Sequence, residues 1–267
     1  REFHENKIYS ESRDYLQSLY ETRSQRQIGD LYGISRTAVS NLFDSLNIKR
    51  RSYKESSSIM NLWAFPGFNS SQEQLVYGSL LGDANLHRAT MKSNKTNDTL
   101  IIYRLQFSHC ETQREYLEHK WSILPGCKIS TVISGHGSKM FRYYFCHSPT
   151  LTKVAKLCHD SNHRKLVSQP WLDMLTWEGL AYWYQDDGFI TSGHGYPFIG
   201  FCTDSFSHDE LLLLKTMLST KFGLDTTIKQ TRPNQFRLIT SHRNQLRRFI
   251  DNISPYIVDT MKYKLFP

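Results

Sequence analysis

Two segments of this chain rhyme. Val76-Tyr77-Gly78-Ser79-Leu80-Leu81-Gly82-Asp83-Ala84 and Leu180-Ala181-Tyr182-Trp183-Tyr184-Gln185-Asp186-Asp187-Gly188 are apolar runs, each ending in an acid followed by a small residue. The matching acids, Asp83 and Asp187, lie about 100 residues apart, roughly one small domain. The spacing predicts one unit present twice. Two apolar helices that end in carboxylates can pack side by side and bring those carboxylates together. A carboxylate pair at such a seam is a natural divalent-cation site.

The remaining composition narrows the partner. The formal net charge of +8 argues for an anionic one. Nucleic acid is expected rather than a membrane, because the longest apolar runs, such as Leu211 to Leu214, fall far short of the roughly 20 residues that span a bilayer. Arg1-Glu2-Phe3-His4-Glu5 is polar and unlike a signal peptide, and with no initiator Met the sequence is expected to be a truncated one. Five cysteines without a C-x-x-C pair read as reduced thiols, so the expected setting is intracellular: bacterial or phage-host cytoplasm, or an organelle matrix. Cys158-His159-Asp160-Ser161-Asn162-His163 lacks the second half-site that zinc would need.

Residues 1–50 read as helical. A helix over Ser24–Tyr32 ends at Gly33, and Ser35 caps a second over Arg36–Leu46, with Ile28, Leu31, Ile34, Val39, Leu42 and Leu46 facing inward. Small Gly29 and turn-forming Gly33 suit a helix-turn-helix. The second helix would present Arg36, Thr37, Ser40 and Asn41 to a DNA groove, with Lys49, Arg50 and Arg51 following on the backbone; the alternative is a helical hairpin with a solvated polar face. Residues 51–70 read as a basic, then Ser-rich, then aromatic linker, which either follows DNA or tethers the next domain.

From residue 71 the chain reads α-β-β-α-β-β-α twice, over 71–168 and 169–267, with Ser71 capping the first motif helix. The fold class is α+β. The motifs, their order, and the tail Pro255-Tyr256-Ile257-Val258-Asp259-Thr260-Met261-Lys262-Tyr263-Lys264-Leu265 resemble the single-chain LAGLIDADG homing endonucleases. Ala84 stands where that family usually has Gly, and Tyr182 where its name has Gly.

The resemblance implies a pseudo-twofold saddle whose sheets lie in the major groove, and a monomer that cuts both strands of a long asymmetric DNA site with Mg2+ or Mn2+. Asp83 and Asp187 would hold metal with the carbonyls of Gly82 and Asp186. Lys165 and Lys264 match the family's catalytic lysines, with Arg164 and Lys262 as neighbouring alternatives. His109 and Asp204 fall where the family positions water. Groove contacts are expected from His87, Arg104, Gln106, Lys128, Arg142 and Tyr144 in the first half and from Lys229, Gln230, Arg232, Gln235 and Arg237 in the second. The competing reading is a DNA-binding regulator, or an RNA-splicing maturase acting on intron RNA; retention of both acids and both lysines favours the enzyme.

Overall fold

The computed structural model describes residues 8–9, 11–50, 67–92, 99–135, 137–145, 148–193 and 196–266. Arg51 and most of the expected linker lie outside them. The chain divides into two compact units. One comprises Arg1–Gly67 with Ala89–Ile102 and Ser148–Thr150; the other comprises Phe68–Arg88, Tyr103–His147 and Leu151–Pro267.

In the first unit, α1 (Arg13–Thr22), α2 (Gln25–Tyr32) and α3 (Arg36–Ser45) start at Ser12, Ser24 and Ser35, whose side chains accept from backbone N–H groups of the first turn. Gly33 stops α2 in the left-handed conformation, φ 71°. A Cβ on Gly29 would lie 2.5 Å from the Ile34 carbonyl oxygen, so this position admits only glycine. Ile8, Leu16, Tyr20, Ile28, Tyr32, Val39, Leu42, Phe43 and Ile48 form the core. Leu31, expected inside, is 54% exposed. At about 100° per residue, positions 28, 29 and 32 share a face and position 31 falls on its flank.

From Ser70 onward each half of the chain repeats the expected order. The first runs α4 (Ser70–Leu81), β1 (Asn85–Lys92), β2 (Thr99–Cys110), α5 (Arg114–Ile123), β3 (Ser130–Ile133), β4 (Lys139–Phe145) and α6 (Pro149–Cys158). A short α7 (Gln169–Met174), absent from the sequence reading, precedes the second: α8 (Trp177–Asp187), β5 (Gly188–Gly193), β6 (Tyr196–Phe201), α9 (His208–Phe222), β7 (Thr227–Arg232), β8 (Gln235–Thr240) and α10 (Arg243–Ile253). Both sheets have the same order, β1-β2-β4-β3 and β5-β6-β8-β7. One face of each is buried: Phe141, Tyr143 and Phe145 alternate with the more open Met140, Arg142 and Tyr144 along β4.

The motif helices α4 and α8 have little amphipathic character because neighbours cover them nearly all round, from Gln74 to Leu81 and from Gly179 to Asp186. They cross almost at backbone contact. A Cβ on Gly78 would lie 2.0 Å from the Gly179 carbonyl oxygen, and one on Gly82 would lie 2.4 Å from Asp186 Cβ. The α4 cap is Asn69, reciprocated by Gln72, rather than Ser71; Ser71 instead reaches Glu178 at 3.4 Å.

Candidate active site at the motif seam

Asp83 follows α4 and Asp187 ends α8, so the crossing carries both acids to one end of the seam. The Asp83 side chain is 43% exposed. Desolvation, then the charge of Asp186, pushes its carboxyl up to about 6, while Lys120, Lys264 and Lys165 pull the other way. Desolvation, then Asp83 and Asp186, pushes Asp187 up to about 7 against Lys165 and Lys264. The helix end at Asp187 is fixed by Cys202, whose N–H donates to its carbonyl at 2.8 Å.

The two lysines that the family resemblance implied take equivalent places. Lys264 Nζ donates to the carbonyls of Gln185 (2.5 Å) and Asp186 (3.0 Å), and Lys165 Nζ lies 3.5 Å from the Gly82 carbonyl. Desolvation lowers the pKa of both; nearby acids, led by Asp187 for Lys165 and Asp186 for Lys264, oppose it. Lys264 is placed by a C-terminal segment that α8 grips: Tyr184 Oη donates to its carbonyl at 2.8 Å, and Gln185 bonds Tyr256 and Val258. The alternatives Arg164 and Lys262 point elsewhere, toward Asp160 and Asp259.

His109 is buried against the same cluster, its Nδ1 3.2 Å from Gln113 Oε1 and 3.6 Å from Asp83 Oδ2. Its Nε2 is buried without a hydrogen-bond partner, and desolvation drives its pKa down to about 3. Asp204 does not match it: that carboxylate accepts from Arg237 at 3.2 and 3.3 Å and from Thr231 at 3.2 Å.

Sequence reasoning missed the role of the Asp186 side chain. Gly82 and Asp186 occupy the same motif position on facing helices, and the missing Cβ of one makes room for the carboxylate of the other. That carboxylate therefore crosses the seam. Its Oδ1 accepts from Lys120 Nζ (2.7 Å) and Tyr116 Oη (2.9 Å) on α5, and its Oδ2 lies 3.3 Å from the Asp83 backbone N–H. The Lys120 and Asp186 side chains are both 0% exposed. The available signal was a lysine on the inward stripe Tyr116-Leu117-Lys120, where an unpaired cation would be costly.

Asp83, His109 and Asp186 present ligand-type atoms within 4.8 Å of one another. The Asp186 carboxylate is already neutralised by Lys120. Asp83 and Asp187 have no lysine or arginine ion pair among the described residues. Besides burial, Asp83 raises the pKa of Asp187, and carboxylates brought close in this way are ligands of the kind a hard divalent cation takes.

Of the expected DNA contacts, Arg36, Thr37, Asn41 and Lys49 are exposed, Ser40 is half-buried, and Arg50 is paired with Asp44. On the outer face of the first sheet a polar chain links His87 to Gln106 (2.8 Å), Gln106 to Ser108 (3.3 Å), Ser108 to Arg142 (2.9 Å) and Arg142 to Tyr144 (3.5 Å). Arg104 and Lys128 are exposed. In the second sheet Lys229 pairs with Arg237 on the outer face, and Arg232 pairs with Gln235 after an irregularity in the ladder. Gln230 pairs with Phe236, one residue out of phase, and so lies on the opposite face from Lys229.

Residues 73–249 match the sequence profile of the LAGLIDADG DNA endonuclease family. The chain belongs to that family. Among relatives, it is 29% identical over 212 residues to the DNA endonuclease I-ChuI of Chlamydomonas applanata, covering 73% of this chain and 94% of that protein. It is 26% identical over 208 residues to the protein RecA of Mycolicibacterium flavescens, covering 74% of this chain but 47% of that protein; the chain thus spans about half the length of this relative. The homing endonuclease I-WcaI, solved bound to its DNA recognition sequence, shares the fold with a TM-score of 0.63 at 23% identity, covering 84% of this chain and 96% of that one. This LAGLIDADG chain therefore carries both motif acids at the helix crossing, with an extra buried acid, Asp186, beside them.

Proposed function

We propose that this LAGLIDADG chain is a site-specific homing endonuclease that breaks both strands of a long asymmetric DNA duplex with Mg2+ or Mn2+. The carrying observation is the meeting of Asp83 and Asp187 at the seam, each raised by burial and then by neighbouring acids, with Lys165 and Lys264 on the adjoining carbonyls. Asp83, Asp187 and the carbonyls of Gly82 and Asp186 would hold the metal. A bound divalent ion supplies a Lewis acid and lowers the pKa of water. The water oxygen forms the new P–O bond and gives up a proton to solvent as the bond to the bridging oxygen breaks, and the departing alkoxide takes up a proton from solvent. Lys165 and Lys264 offset the charge that builds on the phosphate. Neutral His109, buried with Nδ1 on Gln113 and 3.6 Å from Asp83, is a positioning residue for that carboxylate; Asp204, bound to Arg237, acts as a positioning residue for that arginine.

The partner is double-stranded DNA, and one chain supplies both halves of the site, as a monomer. The cellular setting in this reading is intracellular, on the ground of five cysteines without a C-x-x-C pair. The residue 1–50 helices extend the recognised site through Arg36, Thr37, Ser40 and Asn41. A regulator or maturase would not require both acids and both lysines, so their joint retention favours hydrolysis.

The test is incubation of the full chain with a randomised duplex library and Mg2+, with EDTA as control. Recovery of one long sequence cut on both strands only with metal supports the proposal; no cutting of any duplex with either ion overturns it. Footprints of the full chain and of a version lacking residues 1–50 test the N-terminal unit, whose removal is expected to shorten the protected site. An unchanged footprint removes DNA contact from that unit.

A further inference from the structure

The outer faces of the two sheets differ in chemistry. On the first, the row across β2, β4 and β3 is Ser108–Arg142–Ser130, flanked by Gln106 and Tyr144. On the second, the row across β5, β6, β8 and β7 is Phe189–Gly200–Ile239–Thr227. A Cβ on Gly200 would lie 2.4 Å from Phe189 Cζ and 2.8 Å from Ile239 Cγ2. The missing side chain therefore lets the Phe189 ring lie across β6 toward Ile239, giving a shallow apolar floor. Beyond it opens a cleft of about 500 Å³, lined among others by Phe198, Tyr196 and Lys229. Tyr196 is 73% exposed.

Charges of both signs border this apolar floor: Arg237 with Asp204 and, along the cleft, Lys229 with Asp225. Arg237 sits over the Phe189 ring at 5.7 Å while Asp204 holds its guanidinium, and Lys229 pairs beside it. On the DNA reading above, an apolar floor inside a polar, charged rim suits a duplex edge that offers small apolar groups. Duplex DNA does so in one place, the C5-methyl of thymine in the major groove.

We propose that the second sheet reads thymine methyl groups through Phe189, Phe198 and Ile239, whereas the first sheet reads hydrogen-bonding base edges. This deepens the DNA reading above and rests on it. Burying one methyl is worth roughly threefold to fourfold in affinity.

The experiment uses the full chain and the duplex recovered from the library selection. Deoxyuridine, which lacks only the methyl, replaces thymidine in one half of the site at a time, and binding is read by fluorescence anisotropy in Ca2+. The expected result is a loss of about threefold to fourfold per critical methyl in one half, with little change in the other. Ile239→Ser should abolish that sensitivity, and Gln106→Ala should leave it. Equal affinity for thymidine and deoxyuridine in both halves overturns the inference, as does a selected half-site without thymine or a sensitivity that follows Gln106→Ala. A protein cofactor on this face would likewise leave the methyl effect absent. If no duplex binds at all, the nuclease reading fails first; binding without a methyl effect fails only this inference.

Discussion

Lys120→Met tests whether the seam holds a true buried ion pair. Lys120 and Asp186 are 2.7 Å apart with both side chains 0% exposed, and methionine keeps most of the apolar stem. Its removal strands a carboxylate that retains only Tyr116 Oη at 2.9 Å and the Asp83 N–H at 3.3 Å. Breaking a buried pair in this way costs about 3–5 kcal/mol. A second route limits the cost, because the stranded acid can bind a proton. For an ordinary carboxylate that takes about 1.4 kcal/mol per pH unit above about 3.9, or about 4 kcal/mol at pH 7 and about 1.5 at pH 5. Lys120→Met should therefore lose about 3–4 kcal/mol at pH 7 and less than half of that at pH 5, read by urea unfolding. The sign follows from linkage: the variant's folded state binds a proton that its unfolded state releases, so its stability falls as pH rises. Adding Asp186→Asn should recover much of the loss at pH 7. A loss under about 1 kcal/mol, or an equal loss at both pH values, would refute the buried-pair account.

The motif acids give a second pH test. Asp83 and Asp187 have folded values raised from 3.8 to about 6 and about 7, so each favours the folded state less as pH climbs through that window. Metal-free Asp187→Asn should gain stability over wild type between pH 4 and 7, and Mg2+ should raise the wild-type melting temperature more than the variant's; parallel curves would contradict the assignment. At the helix crossing, Gly78→Ala places a Cβ 2.0 Å from the Gly179 carbonyl oxygen, and the forced separation should cost about 1–3 kcal/mol by urea unfolding. No loss would mean that the helices can part without penalty.

Much of this site was legible because the motifs fix it locally. Apolar runs ending in acid-small pairs specify both the crossing and the place of the carboxylates, while Lys165 and Lys264 came from the family resemblance and lie at the Gly82 and Asp186 carbonyls. The duplicated strand order followed from turn residues and alternation. Contacts between distant residues did not. Asp186 reads as one more helix-end acid until Gly82 is seen opposite it, and Lys120 as one more solvated lysine until α5 is packed against the seam. Lys229 and Gln230, both expected in the groove, are neighbours on one strand and so lie on opposite faces of the sheet. Leu31 shows the same limit in a short helix, where a single flank position decides exposure.

The most direct test of the account is single-turnover cleavage of the selected duplex by Asp83→Asn and by Asp187→Asn, with binding measured on the same preparations. The account predicts unchanged affinity in Ca2+ and loss of double-strand cutting in Mg2+ for both variants. Full cutting by either one would contradict it.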